Sequence, residues 1–180
     1  TLEQVNQSFW AYVRGFIKMQ DKIGWIGLGS MGNRMAKNLA KNGYQMLVTD
    51  KMDTSVAPES AHVATTNSEV ILGANILILS IPAGPDTLEI TQEILNSPNS
   101  SVEIVIDTST IGIPDAKQAA ELLSKKGIEY VDAPVSGGIA GADSATLAIM
   151  VGCKENIFEK VKPILKCIGA NIFHVGPNPG

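Results

Sequence analysis

Short apolar runs alternate with helical patterns from residue 22 onward, and this alternation restricts the chain to very few folds. Seven runs have the length and composition of strands: 22–27, 45–49, 76–81, 102–106, 128–132, 147–151 and 171–175. Several are almost continuously apolar, which is typical of parallel strands buried on both faces. Strands separated by helices imply right-handed crossovers, so we predict a Rossmann-type, doubly wound α/β fold with a mainly parallel sheet.

Three helices are predicted between these strands from their periodicity and their end signals. The first spans 31–42, where apolar residues recur at i, i+4 spacing and Gly43 follows as a C-terminal stop. The second spans 114–126 and begins with a proline, which is favoured in the first turn of a helix. The third spans 155–168 and carries one apolar side.

Residues 1–18 differ from the rest of the chain. Apolar residues recur there at the spacing of an amphipathic helix, and only Arg14 and Lys18 are basic. An upstream leader, a packing helix and a targeting segment all fit this pattern. We therefore interpret 1–18 as a leader or amphipathic N-terminal extension, and 19–180 as one domain.

Composition argues against several classes of function. The net charge of −4 is atypical of a nucleic-acid-binding protein, and no apolar run is long enough to predict a membrane span. Charged residues make up only 18% of the chain, which indicates a surface that is partly covered. The two cysteines, Cys153 and Cys167, form no disulfide framework and no metal-ligand cluster, so we expect no metal and a reducing compartment, the cytoplasm or the mitochondrial matrix.

The segment 27–32 reads Gly-Leu-Gly-Ser-Met-Gly and matches the pattern G-x-G-x-x-G, which is weak evidence by itself. Here a strand precedes it, a helix begins at its end and another strand follows, as a dinucleotide-binding loop requires. Gly27 allows a tight turn, Gly29 lets the backbone approach a pyrophosphate, and Gly32 lets the helix pack closely on the sheet. Free N–H groups at the start of the helix would bind the phosphates. The alternative is a strand-to-helix turn without a ligand.

Asp50 ends the second predicted strand, 23 residues after Gly27. An acidic residue at about this distance accepts hydrogen bonds from the ribose hydroxyls of NAD and repels the 2′-phosphate of NADP. Lys51 next to it has the opposite tendency, because a basic neighbour can accommodate that phosphate. The alternative for Asp50 is a role as a helix cap after the strand. We expect NAD in preference to NADP.

Three loops follow neighbouring strands at the edge of the sheet where ligands bind in open α/β folds. They span 81–86, 107–110 and 132–138, and consist of small, hydroxyl and acidic residues without His, Lys or Arg. Together these loops would form the floor of a cleft that suits a nicotinamide ring and a small carboxylate. It offers no obvious group for proton transfer.

These segments resemble the 3-hydroxyisobutyrate dehydrogenase family of β-hydroxyacid dehydrogenases over about 22–180. IGLGSMGNRMAKNL is similar to the family's cofactor fingerprint, DTSTIGIP to its central segment and DAPVSGG to its substrate signature. The resemblance implies an NAD(P)-binding Rossmann domain over 19–180, similar to that of 6-phosphogluconate dehydrogenase. It also implies an NAD-dependent oxidoreductase that interconverts a small hydroxy acid and its semialdehyde.

The resemblance further implies the residues of the site. Along the dinucleotide it places Gly27, Leu28, Gly29, Ser30, Met31, Gly32, Asp50, Ile81, Pro82, Asp86 and Thr110. It assigns the carboxylate of the substrate to Ser136, Gly137 and Gly138. The family's catalytic lysine follows the last strand, in an all-helical domain. No lysine follows Lys166, so we expect neither a catalytic residue nor that domain within these 180 residues.

Two hypotheses follow. The first is the dinucleotide-binding domain of a dehydrogenase whose proton-transfer lysine lies beyond Gly180. The second is a non-catalytic, NAD-binding regulatory module that acts through protein contacts. Because a Rossmann domain without its helical partner should expose an apolar patch, we expect self-association or binding to a helical partner domain in either case.

Overall fold

Strands and helices alternate along residues 21–180, the part of the chain that the computed structural model describes. The strands are β1 (Ile23–Ile26), β2 (Met46–Thr49), β3 (His62–Val63), β4 (Ile76–Leu79), β5 (Ile104–Asp107), β6 (Glu129–Asp132), β7 (Val135–Ser136), β8 (Leu147–Gly152) and β9 (Gly169–Gly176). The helices are α1 (Gly32–Lys41), α2 (Asn67–Gly73), α3 (Gly84–Leu95), α4 (Ile113–Ser124), α5 (Gly138–Ser144) and α6 (Glu155–Leu165). The predicted extension 1–18 lies outside the described residues.

The strands form one sheet in the order β3-β2-β1-β4-β5-β6-β8-β7, with β9 paired to β8. The strands from β1 to β6 are all parallel to their neighbours, whereas β8 runs antiparallel to β6 and β7. The prediction of a doubly wound, mainly parallel α/β sheet is therefore confirmed. The strand order reverses direction between β1 and β4, and such a switch point opens a crevice at the carboxyl ends of the strands.

Helices cover both faces of the sheet and create two apolar cores. Ile76 and Ile78 of β4 belong to the core under α1 and α6, whereas Leu77 and Leu79 belong to the core under α2, α3 and α4. Successive side chains of a strand point to opposite faces, so a strand with a core on each side needs apolar residues at every position. This explains why the strand runs in the sequence are continuous rather than alternating.

The seven predicted runs all contain strands, and the three predicted helices are present with ends shifted by up to three residues. The two-residue strands β3 and β7 have no pattern of their own in the sequence. The predicted loop 132–138 was wrong in part, because Val135 and Ser136 pair with β8 and Gly138 begins α5. That pairing joins segments that the sequence alone does not bring together.

None of the described helices is both long and apolar enough to cross a membrane. Residues 21–180 also contain no group of three or more His, Cys, Asp or Glu side chains arranged to hold a metal ion.

Candidate functional site

A cleft of about 860 Å³ lies at the carboxyl ends of β1, β4 and β5, at the switch point of the sheet. Its walls are the glycine loop after β1, the segment after β2, and the loops after β4 and β5. The structure brings together all the residues that were predicted to lie along a dinucleotide: Gly27, Leu28, Gly29, Ser30, Met31, Gly32, Asp50, Ile81, Pro82, Asp86 and Thr110. The N-terminus of α1 opens on the same cleft.

The three glycines of the loop lack side chains for different reasons. A Cβ atom on Gly27, which has φ 102°, would lie 2.1 Å from the carbonyl oxygen of Ser80. A Cβ atom on Gly32 would lie 2.1 Å from the carbonyl oxygen of Gly27, whereas one on Gly29 would meet no protein atom within 4 Å. Gly27 and Gly32 are therefore required by the packing of the loop. Gly29 leaves open space where a ligand can approach the backbone.

Side chains hold the glycine loop in place through its carbonyl groups. The three donors are Trp25 Nε1 to Gly27 at 2.8 Å, Asn33 Nδ2 to Gly29 at 2.6 Å, and Arg34 Nη1 to Ser30 at 2.7 Å. Within residues 21–180, the amides of Gly29, Ser30 and Met31 donate to no protein acceptor. The loop thus offers fixed, unpaired N–H groups at a helix N-terminus, an arrangement that binds phosphate.

Asp50 lies at the wall of the cleft directly after β2 and joins two segments. Its Oδ2 accepts from the amide of Leu28 at 2.6 Å, and its Oδ1 accepts from the amides of Met52 and Asp53 at 2.7 and 3.2 Å. The carboxylate therefore stabilises a turn, and no helix begins there for it to cap. Each carboxylate oxygen can accept more than one hydrogen bond, so capacity remains for a ribose hydroxyl.

Lys51 is already paired with carboxylates of α3. Its Nζ lies 3.0 Å from Glu89 Oε2 and 3.7 Å from Asp86 Oδ1, and the hydrogen bond to Glu89 is the main cause that raises the pKa of Lys51. Asp86 thus lines the cleft as predicted and also neutralises part of the charge next to Asp50. A phosphate that approached Lys51 would have to compete with these two carboxylates.

The floor of the cleft is tied together beneath the loops after β4 and β5. The amide of Ile81 donates to Ser109 Oγ at 2.9 Å, and the amide of Ser109 donates to Asp107 Oδ1 at 2.9 Å. Thr108 donates through Oγ1 to the carbonyl of Leu79 at 2.7 Å. These contacts fix the small and hydroxyl residues that the sequence placed at this edge.

The predicted substrate residues do not line this cleft. Ser136, Gly137 and Gly138 lie just beyond Val135, which does line it. Gly137 and Gly138 have φ values of 137° and 61°, which a glycine adopts without strain as the chain turns from β7 into α5. The substrate role of these three residues stays a prediction.

Several residues that line the cleft were missed in the sequence. They are Asn33, Arg34, Met52, Asp53, Val56 and Ser80, among others. Asn33 and Arg34 directly follow the last glycine of the loop, and that position in the first turn of α1 is the signal that could have identified them.

Residues 22–176 match the family described as the NAD binding domain of 6-phosphogluconate dehydrogenase. The chain is 39% identical over 165 residues to the 2-(hydroxymethyl)glutarate dehydrogenase of Eubacterium barkeri, and 36% identical over 159 residues to the 3-hydroxyisobutyrate dehydrogenase of Pseudomonas aeruginosa. Each match covers 86% of this chain and 53% of the relative.

A solved structure agrees with these relatives. The 3-hydroxyisobutyrate dehydrogenase of Mycobacterium tuberculosis, solved with L-serine, superposes with a TM-score of 0.82 at 32% identity, covering 89% of this chain and 56% of that one. This chain belongs to the 3-hydroxyisobutyrate dehydrogenase family. It contains the NAD(P)-binding domain of that family and spans about half the length of the curated relatives it matches.

In the described part of the chain, the hydroxyl residues at the floor of this cleft form no hydrogen bond with a histidine or lysine. Ser109 Oγ accepts from an amide and Thr108 Oγ1 donates to a carbonyl, and neither contacts a histidine or lysine. His174 lies away from the cleft, where Nε2 contacts the carbonyl oxygen of Cys153 at 2.6 Å and Nδ1 contacts Glu155 at 2.9 Å.

Proposed function

We propose that residues 19–180 are the NAD-binding domain of an oxidoreductase that interconverts a small hydroxy acid and its semialdehyde. The observation that carries this proposal is the cleft itself. It combines unpaired loop amides, open space above Gly29, the carboxylate of Asp50 and a floor of small and hydroxyl residues. When NAD is bound, its nicotinamide ring supplies the hydride chemistry, and the residues of this chain bind and orient it.

NAD is the proposed cofactor in preference to NADP. The carboxylate of Asp50 stands where an adenine-side ribose is received, and a 2′-phosphate there would be repelled. The neighbouring charge of Lys51 is engaged by Glu89 and Asp86, which weakens the attraction that would otherwise favour NADP. Both features favour NAD over NADP.

The proposed substrate is a small carboxylic acid with a hydroxymethyl group next to the carboxylate. The two curated relatives are named for 2-(hydroxymethyl)glutarate and 3-hydroxyisobutyrate, and the solved relative was determined with L-serine. All three compounds share this arrangement of carboxylate and CH₂OH. In this chain Ser136, Gly137 and Gly138 are the proposed partners of the carboxylate.

We also propose that the proton of the substrate hydroxyl is taken by a group outside residues 21–180. A positioned acid or base contributes about 10²–10⁴-fold to such a reaction. Ser109, Thr110 and Ser136, the hydroxyl residues near the floor, form no hydrogen bond with a basic side chain in the described part of the chain. The 180-residue chain should therefore bind the cofactor without turning over a hydroxy acid.

A second candidate is a non-catalytic NAD-binding module that acts through protein contacts. Phe173 and Val175 favour it, because these apolar side chains of β9 are 53% and 64% exposed. Turnover of a hydroxy acid by a protein that contains this domain would exclude this candidate. Binding without turnover by that protein would support it.

The test of the proposed function is calorimetric binding of NAD and NADP to the 180-residue chain, with Gly29→Val as the diagnostic variant. A Cβ atom at position 29 meets no protein atom within 4 Å, and a valine side chain there would enter the space proposed for the pyrophosphate. We expect NAD to bind more tightly than NADP, and Gly29→Val to abolish binding while leaving the unfolding temperature unchanged. Undiminished binding to Gly29→Val, or equal affinity for both cofactors, would contradict the proposal.

A matching assay addresses the chemistry. NADH formation is followed after the chain is mixed with NAD and a panel of 3-hydroxy acids that includes L-serine. No turnover is expected. Turnover near 1 s⁻¹, roughly the low end for ordinary enzymes, would show that a base lies within the chain.

A further inference from the structure

A buried carboxylate lies beneath the cleft and is not used by the proposed function. Asp107 ends β5 and is 0% exposed. It forms no salt bridge with a basic side chain among the described residues. Burial raises its pKa above the ordinary value of an aspartate. Because burying an acidic group without a countercharge costs free energy, the position calls for an explanation.

Three donors satisfy this carboxylate, and each comes from a different part of the fold. Thr87 of α3 donates through Oγ1 to Oδ2 at 2.8 Å, and Tyr130 of β6 donates through its hydroxyl to the same oxygen at 3.0 Å. The amide of Ser109, in the loop after β5, donates to Oδ1 at 2.9 Å. Asp107 thus connects β5 with a helix, a neighbouring strand and a loop of the cleft.

The connection continues into the cleft through Ser109. Its hydroxyl accepts from the amide of Ile81 at 2.9 Å, which links the loop after β5 to the loop after β4. Ile81 and Ser109 line the cleft, whereas Asp107, Thr87 and Tyr130 do not. The hydrogen bonds of the carboxylate thus reach the cleft through Ser109, which in turn accepts from the amide of Ile81.

The two linked loops face only one half of a dinucleotide. The glycine loop receives the pyrophosphate and Asp50 receives the adenine-side ribose in a fold of this kind. Ile81 and Ser109 follow β4 and β5, across the switch point from Asp50. The loops joined through Asp107 are therefore on the side left for the nicotinamide half.

We infer that Asp107 is a positioning residue that holds the floor of the cleft under the nicotinamide half of the dinucleotide, acting through Ser109 on Ile81. The inference rests on the proposed function, since it concerns how the same cleft receives NAD. It predicts that substitution of Asp107 weakens the binding only of ligands that carry the nicotinamide half.

The experiment compares NADH with ADP, which has the adenosine and both phosphates but no nicotinamide half, as ligands of the full 180-residue chain. Asp107→Ala removes the shared acceptor, and we expect NADH affinity to fall about tenfold, as for the loss of one or two hydrogen bonds. ADP affinity should stay within about twofold, because the glycine loop and Asp50 are untouched. Asp107→Asn keeps the size of the side chain. Its Oδ1 can still accept from the Ser109 amide, and its Nδ2 can donate to the hydroxyls of Thr87 and Tyr130, so it should bind NADH within about threefold of the parent chain.

Tyr130→Phe is the second variant and carries the test if Asp107→Ala does not fold. It removes one donor and leaves the carboxylate, so we expect a loss of about threefold for NADH and none for ADP. Tyr44→Phe is the matched control, because the Tyr44 hydroxyl forms no hydrogen bond with the described residues and lies outside the cleft. It should change neither affinity.

The outcomes separate this inference from the proposed function. A parent chain that binds neither NADH nor ADP overturns the proposed function, and the inference with it. If the parent binds both, three results overturn the inference alone: unchanged NADH affinity in Asp107→Ala or Tyr130→Phe, equal losses for NADH and ADP, or a loss in Asp107→Asn as large as in Asp107→Ala. Selective loss of NADH affinity supports it.

Discussion

At the scale of single residues, the proposed preference for NAD depends on two neighbours of opposite charge. We expect Asp50 to disfavour a 2′-phosphate, and Lys51 would attract one if its charge were not paired with carboxylates of α3. Glu89 is the closer of its two partners, at 3.0 Å, and does not line the cleft. The proposed preference for NAD therefore depends in part on a residue outside the cleft.

Replacing Glu89 by Gln should release Lys51 and raise NADP affinity. Exposed ion pairs are weak, so we expect an increase of only about two- to fivefold, with little change for NAD. Calorimetric titration with both cofactors measures the effect. Glu93→Gln, one turn along α3, removes the same charge from a side chain that bonds Asn67 instead. An equal increase in that control would attribute the effect to net charge rather than to Lys51.

The burial of Asp107 also implies that the stability of the fold depends on pH. Burial raises the pKa of Asp107 in the folded state above the ordinary 3.8. Between the pKa of the unfolded state and that of the folded state, the folded protein therefore binds more protons than the unfolded protein. The free energy of unfolding must then fall as pH rises through that interval. Asp132, whose pKa burial also raises, acts in the same direction.

The variant Asp107→Asn isolates this contribution, because it has no titrating group at 107 and retains Asp132. Urea unfolding at several pH values above about 4 should show the stability of the parent falling relative to that of Asp107→Asn as pH rises. A difference that is constant with pH, or that grows in favour of the parent, would contradict the raised pKa of Asp107.

At the scale of elements, local sequence patterns were sufficient to predict most strands of the sheet and the glycine loop. Continuous apolar runs predict strands buried on both sides, and a glycine pattern between a strand and a helix predicts the phosphate loop, because these geometries depend on adjacent residues. β7 and α5 escaped prediction because their structure depends on antiparallel pairing with β8. The contacts of Asp107 escaped for a similar reason, since Thr87 and Tyr130 lie 20 and 23 residues away in sequence.

A side chain of α1 also connects the cofactor helix to the helix after the proposed substrate loop. Asn38 is buried, and its Nδ2 donates to the carbonyl of Ala142 in α5 at 2.7 Å. Asn38→Ala leaves this carbonyl without its partner, and we expect the free energy of unfolding to fall by about 1–3 kcal/mol. Chemical denaturation measures it.

The control for that experiment is Asn42→Ala, on the next turn of the chain. Asn42 is exposed, and its Nδ2 bonds only within the end of α1, to the carbonyl of Asn38 at 2.8 Å. Its loss should cost less than about 0.5 kcal/mol. Similar losses in both variants would show that the link between α1 and α5 contributes nothing beyond the helix itself.

At the scale of the whole molecule, the two edges of the sheet differ. β3 ends one side with two residues, whereas β9 ends the other with eight and pairs only with β8 among the described strands. Long, apolar edge strands are templates for pairing with another chain. Phe173 and Val175 lie two residues apart on the same face of β9 and are 53% and 64% exposed. This edge is the surface that we expect to associate.

We therefore expect the 180-residue chain to self-associate through β9 as its concentration rises, and Phe173→Lys to shift it toward monomer. A lysine at an exposed strand edge opposes pairing because its charge would have to be desolvated or brought next to its copy. Sedimentation velocity over a range of concentrations measures the distribution. Leu72→Lys introduces the same charge at a side chain of α2 that is 47% exposed, and it should leave the association unchanged. A parent chain that stays monomeric at every concentration, or equal dissociation by the two lysine variants, would show that β9 is not the associating surface.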